Sequence, residues 1–249
     1  MLATRTGCIL SLSLLLSGIA RADLHGPLVR VAVHSAHGDG LLVVPPNPDW
    51  YDRETGTWSW QLPEPAEIRN PHTQEVLAVL QSGSVLVRDD PVINLGFSVL
   101  AGESDTDFSI SSATLPIAPP FSSASGNAGA AVMITDLTGG GALLSGNGGV
   151  SGTASYLAHY NGGVPDGTAF AELLPSAVAG EWSTESFTDG RPPGGGYEPI
   201  TGNLHNMSSM MTFNLTAGDL ASGTTFFEII PEPGAAAMLL VVLVLRRRS

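Results

Sequence analysis

A histidine-containing segment near the start of the chain has the residue types of a metal site. His34, His37 and Asp39 follow an H-x-x-H-x-D spacing. That spacing can present two imidazoles and one carboxylate to a transition-metal ion. The segment directly follows a predicted strand, so ordinary loop residues are the alternative interpretation.

Acidic residues are concentrated in two short runs, residues 49–54 and residues 103–107. Asp105 and Asp107 alternate in the second run, and carboxylate oxygens in such loops bind Ca²⁺. This run lacks the glycine and the final glutamate of an EF-hand loop. Solvated turns between strands are therefore the first interpretation. No cofactor is predicted, with Ca²⁺ at Asp105 and Asp107 as the alternative.

Four aromatic residues, Trp50, Tyr51, Trp58 and Trp60, lie within a stretch of 11 residues. Trp58 and Trp60 are two positions apart, so in a strand both rings point to the same face. Such rings either fill a hydrophobic core or stack on sugar rings at a surface. Core packing is the first interpretation, and a carbohydrate-binding platform at Trp58 and Trp60 is the alternative.

Residue patterns typical of catalysis are weak. The chain has no lysine, which excludes Schiff-base chemistry and a P-loop lysine. No G-x-S-x-G motif occurs, and in residues 148–152 the serine stands one place too late for one. A Ser-His-Asp triad needs no local spacing, so its members cannot be chosen from the sequence. The protein is predicted not to be an enzyme, with a secreted hydrolase as an alternative.

The charge of the central part of the chain is strongly negative. Residues 23–230 contain 22 acidic side chains and five arginines, a formal net charge of −17. Such a surface repels nucleic acids and anionic lipid headgroups, so neither is predicted as a partner. It also favours solubility outside the cell.

Apolar residues alternate with polar ones in many short runs, which is the period of strands with one wet face. Glycine-rich turns separate these runs, and many short strands with such turns are typical of an antiparallel β-sandwich or jelly roll. The fold class predicted for residues 23–230 is therefore all-β. The predicted strands cover residues 28–33, 57–62, 76–80, 85–87, 92–100, 108–110, 113–117, 131–135, 154–160, 210–215 and 225–230.

Four other segments carry expectations about local structure. Residues 81–84 are predicted to form the turn of a β-hairpin, because a glycine stands between serines there. The spacing of apolar residues favours one helix at residues 166–179, with Thr168 as its cap. The proline-rich residues 45–71 are expected to form a long loop, and residues 189–196 an exposed loop or linker.

The first 22 residues have the pattern of a secretory signal peptide. A short segment with one arginine precedes an apolar run, and small residues lead to Ala20 and Ala22, an A-x-A cleavage site. Cleavage by signal peptidase would make Asp23 the new N-terminus. The only cysteine, Cys8, lies in the removed part, so the mature chain would have neither a disulfide nor a catalytic thiol.

The C-terminus combines three parts in order. Pro231, Glu232 and Pro233 are followed by an apolar tract at residues 234–245, and then by Arg246, Arg247 and Arg248. A helix of about 12 residues spans about 18 Å, less than the roughly 30 Å hydrocarbon core of a membrane. The three arginines would act as a cytoplasmic stop, because positive flanks are retained on that side.

This three-part tail resembles the PEP-CTERM sorting signal, which joins a Pro-Glu-Pro motif, an apolar helix and an arginine-rich end. The resemblance covers residues 231–249 and the export signal, and the apolar tract is shorter than is usual for the family. It implies that the protein is a substrate of an exosortase, a membrane-embedded cysteine transpeptidase that cuts near the motif. Pro231, Glu232 and Pro233 would be the recognised motif, residues 234–245 the membrane tract, and Arg246, Arg247 and Arg248 the stop.

Together these features predict three parts: a signal peptide at 1–22, an extracellular β-sandwich body at 23–230, and a sorting and anchoring segment at 231–249. The expected role is structural or adhesive, at a bacterial surface or in an extracellular matrix. The expected partners are signal peptidase, the exosortase-type transpeptidase, the membrane through the C-terminal tract, and extracellular polysaccharide. A secreted carbohydrate-binding module that uses residues 50–60 is the alternative function.

Overall fold

A computed structural model describes residues 24–164 and 166–232 of the chain. These residues form an all-β structure of two antiparallel sheets, and the only helical element among them is a 3₁₀ turn at Pro48–Trp50. The prediction of an all-β fold is therefore confirmed, as a β-sandwich. The predicted signal peptide and the predicted C-terminal apolar helix lie outside the described residues. Within the described ranges, no helix is long and apolar enough to cross a membrane.

The first sheet has eight strands. Six of them follow one another across the sheet in the order β12, β11, β16, β8, β1, β2, and the short strands β10 and β13 extend it beside β16. The strands are β1 (His25–Ser35), β2 (Gly38–Val44), β8 (Thr106–Phe121), β10 (Ala142–Gly146), β11 (Tyr156–Tyr160), β12 (Thr168–Leu173), β13 (Ser176–Ala179) and β16 (Leu204–Leu215).

The second sheet has nine strands. Its order is β14, β9, β17, β7, β6, β4, β3, with β15 paired to β9 and β5 paired to β6. The strands are β3 (Tyr51–Asp52), β4 (Thr57–Gln61), β5 (Ala66–Arg69), β6 (Val76–Arg88), β7 (Val92–Ala101), β9 (Ala124–Thr135), β14 (Thr184–Arg191), β15 (Glu198–Ile200) and β17 (Leu220–Pro231).

The hydrophobic core lies between the two sheets, because alternate residues of each strand point inward. In β7, every second side chain is buried and those between are half-buried. Phenylalanines join the sheets across the core: Phe213 of β16 packs 5.7 Å from Phe97 of β7 and 5.4 Å from Phe108 of β8, measured between ring centroids. Full burial of one such ring contributes about 1.5–3 kcal/mol.

The predicted hairpin at residues 81–84 is wrong, because residues 76–88 form the single strand β6. A β-bulge between Leu80 and Ser82 shifts its pairing with β7 but does not end it. Gly83 points into the sandwich, where a Cβ atom would lie 3.3 Å from the Leu80 side chain and 3.4 Å from the Trp60 ring. The glycine therefore marks close packing rather than a turn.

The predicted helix at residues 166–179 is also wrong, since the segment contains β12 and β13. Phe170 is the extra residue of a bulge in the pairing of β12 with β11, so that Phe170 and Ala171 are both buried. Two adjacent buried residues break the strand period and imitate helical spacing. Pro175 then separates the two strands.

Two segments expected to be loops are partly strands. The proline-rich residues 45–71 contain the 3₁₀ turn, β3 and β5, together with β4, which corresponds to the strand predicted at residues 57–62. Residues 189–191 complete β14, so that only the part of the predicted loop from Pro192 onward leaves the sheet. Strand pairing with β6 and β9 stabilises these polar segments in spite of their composition.

Candidate functional site

The predicted transition-metal residues lie at a β-hairpin and bind separate partners. His34 and Asp39 face each other across β1 and β2, with 2.6 Å between the His34 Nδ1 and Asp39 Oδ1 atoms. His37 lies in the two-residue turn, and its Nδ1 is 2.7 Å from the Glu75 Oε1 atom. The two imidazoles thus pair with two different carboxylates. The structure does not bring them together as a site.

Asp105 and Asp107, the predicted calcium residues, likewise accept hydrogen bonds from different donors. The backbone N–H of Ala217 donates to Asp105 over 3.0 Å, and the side-chain amides of Asn147 and Asn214 donate to Asp107 over 3.2 and 3.1 Å. No group of three or more His, Cys, Asp or Glu side chains in the described ranges could hold a metal ion.

The aromatic cluster is divided between core and margin. Trp58 is 1 % exposed and packs against Tyr51, with 5.0 Å between the ring centroids. Trp60 is half-buried at the edge of the core, 6.4 Å from the ring of Trp50. Trp58 therefore has no ring face open to a sugar.

Two buried carboxylates outside these clusters fix turns of the backbone. Burial acts to raise the pKa of Asp136, but the backbone N–H groups of Trp182, Thr138 and Gly141 and the Thr138 hydroxyl outweigh it. The pKa therefore lies well below its usual range. Asp219 accepts a hydrogen bond of 3.1 Å from the Leu137 backbone and lies against the same threonine hydroxyl, 3.4 Å away.

The first two residues of the predicted sorting motif, Pro231 and Glu232, lie at the end of the last strand. Pro231 is the final residue of β17 and stands opposite Ala124 of β9. The Glu232 carboxylate accepts hydrogen bonds from the hydroxyls of Ser123 (2.7 Å) and Ser125 (3.0 Å), which lower its pKa. Pro233 and the arginines at 246–248 lie outside the described residues, as do Ala20 and Ala22.

A groove of about 870 Å³ lies on the outer face of the nine-stranded sheet. The outward residues of its strands stand opposite one another in three neighbouring rows, which we call the uncharged rows. The first row is Gln61, Ser84, Gly96, Thr224, Ala131 and Thr188; the second is Ser59, Leu86, Asn94, Phe226, Gly129 and Gly190; the third is Ser82, Ser98, Ser222, Met133 and Ser186.

None of these side chains can ionise near neutral pH, and most carry hydroxyl or amide groups. Asp189 also borders the groove, but its carboxylate accepts hydrogen bonds from the backbone N–H groups of Leu174 (3.2 Å) and Gly190 (2.8 Å). In the row beyond the groove, the Glu228 carboxylate accepts a hydrogen bond of 2.7 Å from the Tyr197 hydroxyl. The charged groups therefore stand at the margin.

Phe226 is the outward-facing aromatic side chain of the groove, and it is 40 % exposed, while Trp60, which also lines the groove, packs against the core. Its ring lies over Gly129 of the neighbouring strand, where a Cβ atom would come within 2.4 Å of the ring. From the opposite sheet, the Tyr156 hydroxyl crosses the core and donates a hydrogen bond of 3.0 Å to the Phe226 carbonyl oxygen. Burial raises the pKa of Tyr156 far above its usual range, so this hydroxyl stays protonated as a donor.

Sequence reasoning missed this groove. One signal was available: Phe226 and Phe227 are adjacent in a strand, so their rings must point to opposite faces, and Phe227 is fully buried. The other groove residues come from six strands, and only the register places them side by side.

The chain was compared with known proteins. Neither a family model nor a curated protein matches it. One similar solved structure is the enzymatically active domain of tailspike protein 4 of bacteriophage CBA120, at 12 % identity and a TM-score of 0.24, covering 56 % of this chain and 18 % of that one. Another is from the infectious bursal disease virus Gx strain, at 10 % identity and a TM-score of 0.26, covering 88 % and 71 %. This chain spans less than a fifth of the tailspike chain, and both TM-scores are too low to carry a conclusion.

Proposed function

We propose that this chain is an exported bacterial surface or extracellular-matrix protein with a structural or adhesive role, sorted by its C-terminal signal. The observation that carries the proposal is the position of the sorting motif. β17 is paired on both sides, with β7 and β9, and its pairing with β9 continues to Pro231. The last strand of the sandwich thus ends within the proposed motif.

A cut near this motif would leave the sandwich complete. Cleavage beyond Glu232 removes none of the described residues of the nine-stranded sheet, whereas cleavage several residues earlier would remove part of a central strand. This arrangement supports a body that a transpeptidase separates from its tail. Signal peptidase would act after Ala22, and residues 234–245 with Arg246, Arg247 and Arg248 would hold the chain in the membrane until processing.

The role that we propose is not catalytic. A jelly-roll winding is proposed for the sandwich, because β7, β8 and β9, and again β16 and β17, alternate between the two sheets along the chain. The carbohydrate-binding alternative at residues 50–60 loses support, since the Trp58 ring is buried. Hydrolysis of a polysaccharide by the purified protein would favour the hydrolase alternative.

The test is the mass of the mature protein from its native cell envelope, with both termini sequenced. We expect an N-terminus at Asp23 and a C-terminus near residues 231–233. An intact arginine tail in a membrane fraction would instead indicate a simple membrane anchor. An intact chain in the cytosol would contradict the proposed function.

A further inference from the structure

We propose that the groove on the outer face of the nine-stranded sheet binds neutral polysaccharide, with the ring of Phe226 as its stacking surface. This inference rests on the proposed function, because an exported surface protein meets such polymers outside the cell. Ser59 and Trp60 line one end of the groove, but its proposed stacking surface is Phe226, which lies on β17 and faces outward, whereas Trp60 packs against the core.

The charge of the groove selects for a neutral ligand. The body carries a formal net charge of −17, yet the uncharged rows contain no ionisable side chain. A polyanion would be repelled by the surrounding acidic surface. A polycation would bind the carboxylates elsewhere on the surface, because the uncharged rows contain none. A neutral polymer has no charged group that must lose its water on binding, so the absence of charged partners in the groove carries no cost for it.

The polar groups of the groove match the hydroxyls of a sugar. Exposed hydroxyls of Ser84, Thr224 and Thr188 lie in one row, and the half-buried amide of Asn94 lies in the next. Hydroxyl and amide groups both donate and accept hydrogen bonds, as sugar hydroxyls do. The rows run across six strands, about 24 Å at the usual strand spacing. An extended chain of several sugar rings fits that length.

Phe226 supplies the apolar contact that orients a sugar ring. Its aromatic face can pack against the C–H face of a pyranose. The missing side chain of Gly129 leaves room for the ring over the neighbouring strand, and the hydrogen bond from Tyr156 fixes the backbone at Phe226. Tyr156 is therefore a positioning residue, and Phe226 a binding residue.

The experiment measures binding of the purified full chain to neutral glucans, mannans and galactans, with alginate as the polyanionic probe. We expect binding to at least one neutral polymer and none to alginate. Phe226→Leu keeps an apolar side chain but removes the ring, so Kd should rise about tenfold or more. Phe226→Tyr keeps the ring, so Kd should change less than about threefold.

The matched control is Trp182→Ala, which removes an aromatic ring that is 71 % exposed and lies outside the groove. This variant should bind as the native chain does. Circular dichroism and the melting temperature of each variant separate loss of the site from loss of the fold. Thr224→Ala, at an exposed position of the groove, gives a second readout if Phe226→Leu is poorly folded.

Several outcomes would overturn the proposal. The first is that the chain binds none of the neutral polymers, and the second is that it prefers alginate. The third is loss of binding in Trp182→Ala but not in Phe226→Leu. The fourth is that the native chain binds no sugar but forms a dimer, which dissociates in Phe226→Leu; the groove would then be a surface for a second copy. A correctly processed surface protein that binds no neutral polymer would reject the groove alone, whereas an unprocessed cytosolic chain would reject the proposed function.

Discussion

The outer faces of the two sheets present different chemical groups, although both sheets pack on one core. The face of the nine-stranded sheet carries the uncharged rows around Phe226. The face of the eight-stranded sheet has a groove of about 670 Å³, where Asp39, His34 and Asp107 form a row across three strands. Arg30, Ala32 and His34 alternate along β1, so Arg30 lies on the same outer face as His34.

The difference shows that overall charge says little about an individual surface. On the eight-stranded sheet, Asp39 pairs with His34, and Asp107 accepts hydrogen bonds from amides. On the nine-stranded sheet, the uncharged rows bring hydroxyls, amides and the Phe226 ring together, and Glu228 lies only in the row beyond them. A neutral ligand is therefore expected to bind at the uncharged rows rather than on the eight-stranded sheet. The following predictions test this contrast.

The largest expected effect is a loss of stability in the core that supports both outer faces. Phe213 is fully buried and its ring packs on phenylalanines from both sheets. We expect Phe213→Ala to lower the free energy of unfolding by about 3–5 kcal/mol. Urea denaturation should show one transition in the native chain and in the variant, because the two faces share one core. Two separate transitions would show that the sheets unfold independently.

The second effect concerns the groove alone. Gly129→Ala places a Cβ atom against the Phe226 ring, so the ring must rotate away and Kd for the neutral polymer should rise about tenfold. Gly190→Ala is the matched control in the same row, because its Cβ meets nothing closer than 3.5 Å. Equal affinity of the two variants, measured by calorimetry, would show that the position of the ring does not matter.

The third effect belongs to the eight-stranded sheet. Burial lowers the pKa of His159 in β11, while the charge of Glu172 on β12 acts weakly in the opposite direction. The unfolded chain then binds more protons than the folded one below about pH 6.5, so stability falls as the pH drops through this range. We expect His159→Leu to lose fewer degrees of melting temperature between pH 7 and pH 5 than the native chain. An equal loss in both would assign the acid sensitivity to other groups.

The smallest expected effect is the response of sugar binding to salt and pH. The uncharged rows contain nothing that screening or titration would change, so Kd should stay within about twofold from 50 to 500 mM salt. It should also stay constant between about pH 6.5 and 8, where His159 remains neutral in the folded chain. A strong salt dependence would place the ligand at the charged face instead.

Much of the fold could be predicted from local alternation. The predicted strands at 28–33, 92–100, 210–215 and 225–230 lie within β1, β7, β16 and β17. Each has one buried and one wetter face, and that pattern needs no knowledge of the partner strand. The errors at Gly83 and Phe170 occur at bulges, where one extra residue disturbs the period.

The candidate site could not be predicted in the same way. Gly96, Gly129 and Thr224 are far apart in the chain and become neighbours only through the register of β7, β17 and β9. A residue such as Gly129 has no chemistry of its own, and its role depends on the ring beside it. The residues with evident chemistry, His34 and Asp107, lie on the other sheet.

The most direct test of the contrast between the faces is an NMR titration of the isotope-labelled chain with an oligosaccharide of the neutral polymer that binds. We expect the amide shifts to concentrate on β6, β7, β9 and β17 around Phe226, while the amides near His34 and Asp107 stay unchanged. Shifts that concentrate on β1, β2 and β8 of the eight-stranded sheet would contradict the account.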